Sequence, residues 1–184
     1  MNLTPDEVSG LRHRPLFNLL SQIIRSVGQP MPSYYMQRPD GSMVDMLDSA
    51  NGCAAYVSRQ LNGMDAVNNP KLIDGQHGTV SSTVRALEVA GWEKVPAGES
   101  PKPGDVIVWE KQQQVDGAHA HIGFCLGNGE AVSTNYLTLA VARHPDHQNA
   151  EAKLRNIEQL LRYPWTTEEF DALAHLNFFD GSAV

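Results

Sequence analysis

The stretch "HIGFCLGNGEAVSTN" (residues 121–135) decides the fold. An apolar run, a Gly-Asn-Gly turn and a second apolar run read as strand, tight turn, strand. If Gly127-Asn128-Gly129 forms a three-residue turn, Leu126 faces Glu130. His121 then lies opposite Asn135, with Ser133 diagonal on the same face. If the turn is Asn128-Gly129 alone, the register slips by one and Thr134 shares the face of His121. The first register is preferred here. It offers Asn135 as the group that orients His121, with Ser133 and Thr134 as alternatives.

Ahead of the hairpin, "PAGESPKPG" (96–104) is a loop that feeds "DVIVWE" (105–110), a short apolar strand. Upstream, the spacing predicts helices. Apolar residues at 16, 19, 20, 23, 24 and 27 mark one, with Pro15 near its start and Gly28 after its end. Thr79 caps a second over 79–91. A third holds "NGCAAYVSRQL" (51–61), with Asn51 as N-cap and Gly63 past its end. Beyond residue 150, Ala150, Leu154, Ile157 and Leu161 fall on one helical stripe. Thr166 and Glu169 form a capping box before a last helix. Helices first, strands next and a helical tail last argue for α+β. The expected division is a hydrolase domain over 1–149 and a helical extension over 150–184, packed on the same domain.

Cys53 stands at the head of its helix. Free N–H groups and the helix dipole there favour a thiolate and can hydrogen-bond an oxyanion. Such a nucleophile needs a base, and "DGAHAHIG" supplies His119 and His121. His121 is better placed, because the apolar strand begins at it. The second cysteine, Cys125, shares the strand parity of His121 and is expected to be a packing residue. No disulfide is expected between the two. Asp116, His119 and His121 have ligand-type side chains, but no cysteine pair accompanies them and no metal or cofactor is expected. "HPDH" (144–147) reads as a polar loop or a helix start. Trp92, Trp109 and Trp165 read as core or rim.

Three pieces in order, "NGCAAYVSRQL", "PKPGDVIVWE" and "HIGFCLGNGEAVSTN", resemble the papain-like cell-wall hydrolases. These comprise the NlpC-type peptidases and the CHAP amidohydrolase/peptidase domains. The resemblance spans residues about 50 to 136. It implies a papain-like fold, with a Cys-bearing helix on an antiparallel sheet that bears the His. It also implies Cys53 as nucleophile, His121 as base, and peptidoglycan peptides as substrate. The third position departs from both patterns. NlpC-type enzymes usually carry a second His where Ser133 stands, and CHAP domains often carry Glu then Asn where this chain has Thr134 and Asn135. Tyr34, Tyr35 and Asn51 are the side chains upstream that could line an oxyanion site. Two other functions fit the same pattern: an acyltransferase or amide hydrolase on a non-wall substrate, and an inactive binding domain.

The chain has 184 residues, 14 basic and 21 acidic, for a formal net charge of −7. Its basic residues form no run, which argues against nucleic acid as a partner. No window is apolar enough for a membrane span. The start "MNLTPDEVSG" lacks the features of a signal peptide, so delivery to the wall by a phage or a secretion system is expected. A monomer is expected, and an immunity or inhibitor protein could dock on the 150–161 stripe.

Overall fold

Pro15 opens the first helix, α1 (Pro15–Ser26), where its missing N–H costs nothing. Leu16, Leu19, Leu20 and Ile23 recur at helical spacing and are all fully buried. Each is worth roughly 1.5–3 kcal/mol of burial. The computed structural model describes residues 14–30, 35–45, 52–64, 70–114, 117–148 and 154–174. Two short strands, β1 (Tyr35–Gln37) and β2 (Met43–Asp45), pair as a separate antiparallel ribbon. Then come α2 (Gly52–Asn62) and α3 (Val80–Val89). Thr79 caps α3 as the sequence predicts, its side chain accepting from the Ser82 amide at 3.1 Å.

The remaining strands form one antiparallel sheet. They are β3 (Glu93–Lys94), β4 (Val106–Gln114), β5 (Gly117–Gly127), β6 (Glu130–Asn135), β7 (Ala140–Pro145) and β8 (Ile157–Arg162). Their spatial order is β3-β8-β4-β5-β6-β7. The last element is α4 (Thr167–Ala174). Its capping box closes as read from the sequence. The Glu169 carboxylate accepts from the Thr166 amide at 3.1 Å, and the Thr166 hydroxyl from the Glu169 amide at 3.3 Å. The class is α+β, and an antiparallel sheet carries His121.

Among the described residues, the stripe expected through 150–161 is not a helix. Residues 157–162 are β8, which lies between β3 and β4 inside the sheet. Leu154 is exposed. An inner strand covered on both faces buries neighbours of opposite parity. Accordingly Leu161 belongs to the main core and Leu160 to a smaller one on the other face. The four-residue spacing of Ile157 and Leu161 mimics a helix, and sheet pairing overrides it. Ala150 lies outside the described residues.

The two cores lie on opposite faces of the sheet. Helices α1, α2 and α3 contribute to the larger, with Val106, Val108, Ile122, Phe124 and Val132 from the strands. Ile107, Trp109, Cys125, Ala131 and Leu160 form the smaller. One buried ion pair ties the loop before β4 to β8. Asp105 is fully buried, and Arg162 grips both of its carboxylate oxygens at 2.9 and 2.8 Å. The Lys102 amide also donates to Asp105, at 2.8 Å. Gly104 before it has φ +86°, and a Cβ there would lie 2.5 Å from Leu16 Cδ1. The Pro-Gly-Asp corner is therefore a device of folding: glycine for close approach, aspartate for the arginine fork.

Candidate active site

Cys53 is the second residue of α2, and α2 lies against β5 and β6. Small side chains at Ala54 and Ala55 let the helix come close, and both are buried. Tyr56 packs edge-on against Phe124 of β5, with ring centroids 6.0 Å apart. Its hydroxyl reaches Ser26 of α1 at 2.8 Å. Aromatic packing and this hydrogen bond thus hold the head of α2 over β5. Asn51, the expected cap, lies outside the described residues, as does Tyr34. Tyr35 is exposed on β1.

The hairpin turn differs from the preferred reading, but the pairing beyond it returns to the preferred count. Gly127 faces Glu130, so the turn is Asn128-Gly129 alone. Both turn residues have positive φ, 53° and 77°, as a two-residue hairpin turn of this hand demands. An irregularity between Cys125 and Gly127 then restores the other count: Cys125 faces Ala131 and Phe124 faces Val132. The pairing of the two strands runs to Phe124 and Val132, the count that the three-residue reading of the turn also gives.

Ser133 makes the bond. His121 Nε2 lies 2.8 Å from Ser133 Oγ. Asn135 turns to the next loop, where its Oδ1 accepts from the amides of Leu137 (2.9 Å) and Thr138 (3.2 Å). Thr134 is buried and alternates to the opposite face from Ser133. A residue outside the sequence-based candidates joins the cluster: His144 Nε2 lies 2.8 Å from the same Ser133 Oγ. "HPDH" is therefore no loop at its first residue, since His144 ends up buried on β7. The length of the turn after Asn135 was not legible in the sequence, and without it the register of β7 has no anchor.

Trp109 backs both imidazoles. Its ring centroid lies 5.4 Å from that of His121 and 5.6 Å from that of His144. Its indole N–H donates to the Asp146 carbonyl at 2.6 Å, which fixes the ring. Gly123 makes this cluster sterically feasible. A Cβ there would fall 2.6 Å from the Val132 carbonyl oxygen, 2.8 Å from Ser133 Cβ and 3.0 Å from the Trp109 ring. The glycine two residues after His121 is thus the space into which serine and tryptophan pack.

Burial dominates the electrostatics. It pushes the Cys53 thiol up to about 11, while the amides of Ile122 and Ala54 and the charge of Arg155 pull the other way. The helix-head effect is present, then, but desolvation outweighs it. Burial also pushes His121 down to about 3, helped by the charge of Arg155 and, least, by repulsion between its own charged form and that of His144. At neutral pH the thiol is protonated and the His121 imidazole is neutral. Arg155 is buried between strands, its guanidinium reaching the carbonyls of Glu110 (3.5 Å) and His119 (3.4 Å). Sequence reading missed it, because nothing in the spacing of a lone arginine separates it from a solvated one.

The Ile122 amide that faces the Cys53 sulfur is next in the chain to His121. His121, Ser133 and His144 thus form one cluster backed by Trp109, and Cys53 meets β5 at the amide next to His121. Cys125 is buried in the smaller core and unbridged, with its thiol pushed up to about 12 by burial. No group of three metal-ligating side chains converges among the described residues. No helix among them is long and apolar enough to cross a membrane. A family model described as bacteriophage peptidoglycan hydrolase matches residues 34–166, which include all of these site residues. No curated protein matches the chain.

Proposed function

The chain belongs to the bacteriophage peptidoglycan hydrolase family, and within it we propose a cysteine amidase or endopeptidase of the papain-like, NlpC/CHAP type, cutting amide bonds of the wall peptides. The observation that supports this reading is the Cys53 sulfur against the Ile122 amide, next in the chain to a histidine whose Nε2 is already engaged by Ser133. Nδ1 is then the nitrogen left to serve the thiol.

The resting pair is neutral, so proton transfer accompanies attack. His121 Nδ1 takes the Sγ proton as Sγ bonds to the substrate carbonyl carbon. The oxyanion that forms is met by backbone N–H groups at the head of α2. His121 returns the proton to the leaving nitrogen, the C–N bond breaks, and a thioester remains. Water, deprotonated by His121, attacks the thioester, and the departing sulfur recovers its proton. Ser133 orients the imidazole in every step. No metal or organic cofactor is needed for this sequence. Peptidoglycan peptides are the substrate, and delivery to the wall is by phage or secretion machinery.

Mass spectrometry of wall digests tests the bond class. Amide hydrolysis yields fragments with one new amine and one new carboxylate. Fragments cut only between sugars would refute the reading.

A further inference from the structure

We infer that His144 is a positioning residue that fixes the tautomer of His121 through Ser133. This rests on the reading of Cys53 and His121 as nucleophile and base. Three adjacent strands contribute one member each: His121 from β5, Ser133 from β6 and His144 from β7.

The direction of every hydrogen bond follows from the far end of the chain. His144 Nδ1 lies 2.9 Å from the carbonyl oxygen of Pro145. A carbonyl only accepts, so Nδ1 carries the hydrogen. Neutral His144 then keeps its lone pair on Nε2, 2.8 Å from Ser133 Oγ. The serine hydroxyl donates its single hydrogen there. Oγ can now only accept from His121 Nε2, 2.8 Å away on its other side. His121 therefore carries its hydrogen on Nε2 and its lone pair on Nδ1. A backbone carbonyl thus sets the basic nitrogen two strands away.

Ser133 alone cannot do this. Its hydroxyl can donate or accept, so by itself it tolerates either tautomer of His121. His144 removes the choice, and Trp109 holds both rings at the required tilt. The arrangement also explains why a serine serves at this position: it relays polarity to a histidine that can reach a backbone carbonyl.

The test is a long-range proton–nitrogen correlation spectrum of the whole chain with ¹⁵N-labelled histidine, recorded alongside turnover of purified peptidoglycan. In wild type, His121 is expected as the Nε2–H form and His144 as the Nδ1–H form. His144→Leu frees the serine hydroxyl to donate to His121, so the Nδ1–H form of His121 appears. A wholly wrong tautomer in a comparable triad costs about 10⁴-fold in kcat; the expected loss here lies between roughly 10-fold and that limit, with KM little changed. His144→Gln keeps a side-chain acceptor for Ser133 and is expected to restore most of kcat and the Nε2–H signal.

A wild-type spectrum with His121 in the Nδ1–H form overturns the inference, and it needs no variant to fold. Equal kcat for wild type and a folded His144→Leu overturns it too, as does equal loss in the Leu and Gln variants with His121 unchanged in tautomer. Persistence of activity in Cys53→Ala would instead sink the nucleophile reading, without touching the tautomer result.

Discussion

Alkylation of Cys53 should be slow at neutral pH and should accelerate steadily with alkali. Burial holds the thiol at about 11. At pH 7 the thiolate fraction is then about 10⁻⁴, against roughly 3% for an unperturbed cysteine near 8.5. That ratio is about 300-fold. A more basic thiolate is intrinsically more nucleophilic, with a Brønsted slope of about 0.4–0.5, and this returns a factor of about 13. The net expectation is a rate about 20-fold below that of the same cysteine in the unfolded chain, with burial slowing it further. The sign follows from the direction of the shift: a raised thiol pKa disfavours the anion throughout the neutral range. With iodoacetamide and peptide-level mass spectrometry, the logarithm of the rate should climb about one unit per pH unit from pH 6 to pH 10. A fast, flat rate between pH 5 and pH 8 would mean a preformed thiolate–imidazolium pair. It would refute the argument that the resting site is neutral.

Further expectations concern the supports of the site. Gly123→Ala should lower activity sharply and stability by about 1–3 kcal/mol, because its Cβ would strike a backbone carbonyl and Ser133; thermal melts and turnover check this together. Arg162→Gln should cost about 3–5 kcal/mol in urea unfolding, since it strands the fully buried Asp105 carboxylate. Ser133→Ala should reduce kcat far more than Asn135→Ala. The latter removes the acceptor for two loop amides and should cost about 1 kcal/mol of stability instead. Equal kcat losses in the two variants would contradict the assignment of Ser133.

What the sequence revealed tracks how local each feature is. The α1 stripe, the Thr79 cap and the Thr166–Glu169 box depend on residues within a turn of one another, and all are present. Cys53 on its helix and His121 on its strand were legible for the same reason. The turn residues were misjudged, yet Phe124 still faces Val132, because an irregularity between Cys125 and Gly127 offset the shorter turn. Long-range pairing was not legible. β8 joins the sheet between strands distant in sequence, so its four-residue spacing looked helical. His144 reaches Ser133 only through the β6–β7 register, and Arg155 approaches the site only because of where β4 and β5 run. The expected acidity of Cys53 failed on burial, a property of the packed core rather than of the helix head.

The central claim is that Cys53 is the nucleophile of a peptidoglycan amide hydrolase. Digestion of purified peptidoglycan by wild type and by Cys53→Ala, with both proteins shown to melt cooperatively, tests it most directly. Wild type should release peptide fragments, and Cys53→Ala should release none above the untreated control. Release of the same fragments at similar rates by both proteins would contradict it.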